Sequence, residues 1–194
     1  MAAGKVLTGY AYPYVALYSV SGTTVSYASG QLLARGVSMS TSIDTSDDNK
    51  FYADNVEAEN EAGKFVSGTL DLTVDGLKQS AEKLIMGLPT ASTSTGLMPY
   101  DDDQAIPDVG FGAVARYQSD GVVTYTPVIF PRVSFEQINT EANTQEENID
   151  WQTQSLTATI KRAGDAKHTW KYIGKEETTE SAAVAVITGM FNIS

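Results

Sequence analysis

Val109 to Phe135 reads VGFGAVARYQSDGVVTYTPVIFPRVSF. Two runs rich in Val, Ile, Phe and Tyr flank Gln118-Ser119-Asp120-Gly121. Asp-Gly between such runs signals a tight antiparallel hairpin, because the favoured two-residue turn needs positive φ at both central positions. Pro127 and Pro131 cannot donate to a ladder, so the second strand is expected at an edge or bulged there. The stretch therefore predicts an antiparallel, mainly β chain. It also contains Gly110-Phe111-Gly112-Ala113-Val114-Ala115, a bare match to the G-x-G-x-x-A string. Dinucleotide binding needs those glycines between a strand and a helix N-terminus. Here a proline-bearing loop precedes them and a hairpin follows, so they read as strand.

Upstream, Lys64 to Asp75 places Val66, Leu70, Leu72 and Val74 on one face and Thr69, Asp71, Thr73 and Asp75 on the other, the period of a half-buried strand. After Gly76 the period changes. Leu77, Ala81, Leu84, Ile85 and Leu88 recur at helical spacing, and Gly87 with Pro89 ends the run, which predicts a flanking helix over 77–88. Lys5 to Val20, broken by Gly9 and Pro13, predicts one or two short strands. Val25 to Tyr27 and Leu32 to Ile43 read as further strands, and Thr90 to Asp108 and Gln137 to Asn148 as polar connections. Ile149 to Lys161 alternates Leu156, Ala158 and Ile160 with threonines, and His168 to Ile173 offers a short closing strand. Thr179 to Phe191 fits a helix with Ala183, Ile187, Met190 and Phe191 on one side, and Ala-Val-Ala-Val-Ile within it equally fits an alternating strand.

Between 44 and 63 the pattern disappears. Seven carboxylates face a single lysine there, and Lys50-Phe51-Tyr52-Ala53-Asp54-Asn55 sits in the middle. A Phe-Tyr pair is a large apolar area to leave wet. Either it folds back onto its own core or another molecule covers it.

The 194 residues suit one domain, 1–194, and the absence of cysteine removes disulfides, thiolate nucleophiles and Cys-based metal sites. A net charge of -11 argues against gripping nucleic acid, whose phosphates are held by Lys and Arg. The N-terminal residues lack the pattern of a signal peptide and no apolar run is long enough for a membrane span, which predicts folding in a cytoplasm. Asp101, Asp102 and Asp103 could group around a hard cation, but consecutive side chains diverge and a solvated loop is the simpler reading. His168 is the single histidine and has no Gly-x-Ser-x-Gly turn to serve. Trp151, Trp170 and Tyr100 read as packing residues in acidic surroundings. No catalytic, cofactor-binding or metal-ligating set is expected.

Four stretches occur in an order that resembles the major tail protein family of long-tailed, non-contractile bacteriophages. They are Lys50 to Asn55 (KFYADN) after an acidic lead-in; Phe65 to Leu77 (FVSGTLDLTVDGL) running into a helix that closes with Ile85 to Leu88 (IMGL); Pro107 to Gly112 (PDVGFG) opening a hairpin; and Asn148 to Leu156 (NIDWQTQSL). The likeness covers most of 44–161.

The resemblance implies an antiparallel β-sandwich of the tail-tube fold with one flanking α-helix. It implies a structural virion protein whose subunits form rings, six to a ring, stacked into a hollow tail tube through which double-stranded DNA passes unbound. Tape-measure and tail-terminator proteins would be its partners, with no membrane involved. On this reading 44–63 is an arm, and Lys50, Phe51, Tyr52, Ala53, Asp54 and Asn55 lie at the inter-subunit interface. The competing expectations are a capsid-decorating or surface-binding sandwich and, with less in its favour, an acid-based hydrolase.

Overall fold

The computed structural model describes residues 4–90, 95–140, 142–144 and 151–193. The strands are β1 (Val6–Ser21), β2 (Thr24–Leu32), β3 (Gly36–Thr45), β4 (Asn49–Ala53), β5 (Val56–Glu61), β6 (Phe65–Val74), β7 (Val109–Ser119), β8 (Val122–Phe135), β9 (Gln154–Ile160) and β10 (Tyr172–Ile173). The helices are α1 (Gln79–Met86) and α2 (Glu180–Met190).

The Asp-Gly hairpin forms as expected. Ser119 pairs with Val122, and Asp120 and Gly121 adopt φ of 48° and 81°. From it grows one antiparallel sheet in the order β2-β1-β7-β8-β9-β6-β3, with β10 paired to β8. Laid flat, β1 and β3 would lie about 24 Å apart at five strand spacings. They are instead in contact, so the sheet folds over on itself around a core. The expected pair of sheets is thus one continuous sheet, and it carries two flanking helices, not one.

The fold occurs at β8, whose two prolines behave in both of the expected ways. Tyr125 exchanges both backbone hydrogen bonds with Glu177, on the side away from β7, and Pro127 presents that same side two residues on. Its missing N–H therefore costs the β7 ladder nothing. Pro131 lies where the pairing slips, between Phe111↔Phe130 and Val109↔Val133. The slip changes which parity faces inward: Val128 and Phe130 enter the core before it, Val133 and Phe135 after it.

Bulges also settle one alternative and explain one correction. Lys5 to Val20 is a single strand, because register shifts between Leu7 and Gly9 and between Ala11 and Tyr14 absorb Gly9 and Pro13. In β6, Leu70, Leu72 and Val74 are buried as predicted, but Val66 is exposed. The register passes from Asp44↔Ser67 to Thr45↔Phe65, leaving Val66 as the extra residue and turning Phe65 inward.

The principal core joins both halves of the sheet: Val15, Phe111, Ala113, Ala115 and Phe130 meet Leu70, Leu72, Leu156, Ala158 and Ile160. α1 adds Ala81, Leu84, Ile85 and Met86 to this core and ends at Gly87, where φ is 67°. A side chain at Gly87 would also collide with the Ala105 carbonyl, so glycine is doubly required there. The helix is two residues shorter at each end than the predicted 77–88.

The C-terminal ambiguity resolves as helix. Thr179 caps α2 by accepting from the Ala182 N–H at 3.3 Å. Ala183, Ile187 and Phe191 then pack on the outer face of β1, β7 and β8 against Ala16, Val114 and Ile129. This packing is what Gly110 and Gly112 serve. A Cβ on Gly110 would lie 2.7 Å from the Phe191 ring, and one on Gly112 would lie 2.8 Å from Ile187. The glycines of the G-x-G-x-x-A string are the seat of a helix.

Candidate assembly interface

The segment 44–63 is not patternless. β4 and β5 pair as a hairpin that prolongs the β3/β6 pair beyond the sheet. Ala53 pairs with Val56, and Asp54 and Asn55 form the turn with φ of 52° and 63°, a two-residue hairpin turn that Asp and Asn accept readily. The period was hidden because the described residues of both strands are exposed: Glu, Asn and Asp fill positions that alternate only where a core sorts them.

The root of this arm is pinned. Ser46 N–H donates to the Lys64 carbonyl at 2.8 Å, Lys64 N–H to Ser46 Oγ at 2.9 Å, and Gly63 N–H to Asp48 Oδ1 at 2.9 Å. Gly63 lies so close to the Ser46 carbonyl that a Cβ has no room. Lys64 also pairs with Glu61 at 2.5 Å, which holds the Glu61 carboxyl below its ordinary value through that hydrogen bond and charge. Beyond the root the described side chains of β4 and its turn are exposed. Phe51 is 63% exposed and Tyr52 59%, and Lys50, Asp54 and Asn55 are exposed as well. Of Ala53 the backbone alone is described. The six predicted residues are therefore contiguous on β4 and its turn, and the two aromatics lie against no core of their own chain.

The sheet ends in two open edges. β2 (TVSYASGQL) closes one side and β3 (GVSMSTSIDT) the other. Sheet edges are normally blunted by Lys, Pro or covering loops. β2 has no charged residue and no proline; β3 has Asp44 alone, at its end. Among the described residues no backbone group outside the sheet pairs with the middle of β3. Sequence reading passed over this, although the Ser/Thr-rich, uncharged composition of both strands was visible.

The remaining candidates take bland positions. Asp101, Asp102 and Asp103 are exposed in a turn closed by Gln104 N–H to the Asp101 carbonyl at 3.2 Å. His168 lies in a tight turn at φ 54°, its N–H on the Asp165 carbonyl at 3.0 Å. Trp151 is 85% exposed, and Trp170 stacks on Phe65 with centroids 4.7 Å apart. Tyr100 donates to Glu82 at 2.5 Å; burial first, then that hydrogen bond and the Glu82 charge, push its hydroxyl up to about 12. Compared with known proteins, the chain matches no protein-family model and no curated protein.

Proposed function

We propose that this chain is a self-assembling structural subunit that builds stacked rings into a hollow tube, as the tail-tube proteins of long-tailed, non-contractile phages do. The observation that carries the reading is the combination of two unblocked sheet edges with an arm whose Phe51 and Tyr52 stay exposed. The edges differ in sequence and stand at opposite ends of the sheet, so pairing β3 of one copy with β2 of the next is a head-to-tail contact. Such contacts close into rings when the rotation fits. Arms directed out of the ring then link one ring to the next. A bore formed by a chain of net charge -11 would repel phosphate, which lets DNA slide without adhering.

The test is Phe51→Ala with Tyr52→Ala. Both side chains are exposed, so the variant should keep the far-UV circular dichroism spectrum and melting temperature of the parent while failing to form tubes in negative-stain electron microscopy. Tubes of undiminished length would remove the arm from the assembly.

A further inference from the structure

The charge of the chain is unevenly placed. Between Lys161 and Lys175 there are five Lys or Arg residues and one aspartate, in a chain with only 13 cations in all. The arm is the reverse: from Asp47 to Glu61 it carries six carboxylates and one lysine.

The basic segment is a rigid turn. Asp165 accepts from the Thr169 N–H at 2.7 Å and from the Thr169 hydroxyl at 2.6 Å; these bonds hold its carboxyl below the ordinary value. Ala163 N–H donates to the Thr169 carbonyl at 3.0 Å, and Gly164 N–H to the Tyr18 hydroxyl of β1 at 2.7 Å. Two of the five cations are already occupied, Lys161 by Asp108 and Lys175 by Glu177. Among the described residues Arg162, Lys167 and Lys171 have no carboxylate partner, and Arg162 and Lys167 are exposed. Arg162 donates to the Phe65 carbonyl, and Trp170 lies on the Phe65 ring. The patch thus combines cations that have no carboxylate partner with the half-buried Trp170 ring, and it stands where the arm leaves the body.

The arm tip has the opposite chemistry. Across the β4/β5 ladder Glu59 stands opposite Phe51 and Glu57 opposite Tyr52. A carboxylate beside an aromatic ring, as at Glu59 and Phe51, suits a surface of Lys, Arg and Trp, which pairs with the first and stacks on the second. A chain's own tip cannot serve. β4, Asn49–Ala53, leads away from the root over roughly 15 Å of extended chain, and the two rings remain exposed.

We propose that the arm of one copy (Phe51, Tyr52, Glu59) docks on the basic turn of a second copy (Arg162, Lys167, Lys171), tip to root. This rests on the self-assembly reading and names the surface that receives the arm. Because tip and root are different surfaces of one chain, the contact is head-to-tail, and where its rotation does not close, rings so joined grow along one axis.

The experiment is a charge exchange. One variant carries Lys167→Glu and Lys171→Glu, a second carries Glu59→Lys, and a third carries all three; Arg162 is left to hold Phe65. Sedimentation velocity and negative-stain microscopy at low salt read the concentration at which tubes form. Each of the first two variants alone should raise that concentration about tenfold, since attractive surface pairs become repulsive ones. Mixing the first two variants, or using the third, should restore tubes, a recovery that misfolded chains would not give. Tubes from both of the first two variants at the parental concentration would overturn the docking site while leaving self-assembly intact. Arrest with normal circular dichroism and no recovery in either the mixture or the third variant would overturn the pairing of tip with turn. A parent that never polymerises would remove the self-assembly reading, and this inference with it.

Discussion

Gly110 and Gly112 take their meaning from what lies above them. As a string they suggest a phosphate loop; in the sheet they leave the space that Phe191 and Ile187 fill. Gly112→Val should therefore overpack the α2 seat and destabilise the chain by about 1–3 kcal/mol, read as a lower denaturation midpoint. Asp108 is the other residue with a defined load. Burial pushes its carboxyl up, but hydrogen bonds and charge from Lys161 and Arg132, at 2.8 and 2.6 Å, outweigh this and hold it below the ordinary 3.8. A lowered folded value means that its contribution is complete above 3.8 and is lost as pH falls through that lowered value. Asp108→Asn should cost about 2 kcal/mol at neutral pH, less than a fully buried pair because both cations are partly wet. The variant's stability should also fall less than the parent's as pH drops below 4, measured by urea titration at each pH. The strand character of Gly110 and Gly112 was legible from the flanking hairpin signal. Their covering helix was not, since it comes from the far end of the chain.

At the scale of elements, legibility followed burial. β6, α1 and β9 each have one face against the core and their periods could be read directly, whereas β7 and β8, covered on both faces, were legible from composition and the Asp-Gly turn. β4 and β5 have no such face, so their hairpin was invisible except for the Asp-Asn turn. α2 was ambiguous because Ala-Val-Ala-Val-Ile suits either period; the Thr179 cap and the glycine seat decide it. The bulges at Val66 and Pro131 moved individual residues to the other face without moving the strand. The basic turn had a plain signal, five cations in fifteen residues of an acidic chain, that sequence reading did not weigh. The open edge makes its own prediction. Ser40 and Ser42 are exposed on β3, so Ser40→Lys with Ser42→Lys should leave the melting temperature within a few degrees and block lateral growth. Single-ring species should then be missing from sedimentation profiles, a different defect from the loss of stacking expected of the arm variants.

For the whole molecule, the central claim is that one copy is incomplete. On the proposed reading, its bare edges and its exposed arm are surface left for identical copies. Acidity fits a chain that must stay dispersed until contacts form, and it makes assembly depend on salt: screening weakens both the repulsion between copies and the tip-to-turn attraction. The measurement that tests the claim most directly is sedimentation velocity of the purified parent chain from micromolar to millimolar concentration, with electron microscopy of the same samples. The account predicts a concentration-dependent shift from monomer to rings and hollow tubes. A single monomeric boundary throughout, with no rings or tubes on the grid, would contradict it.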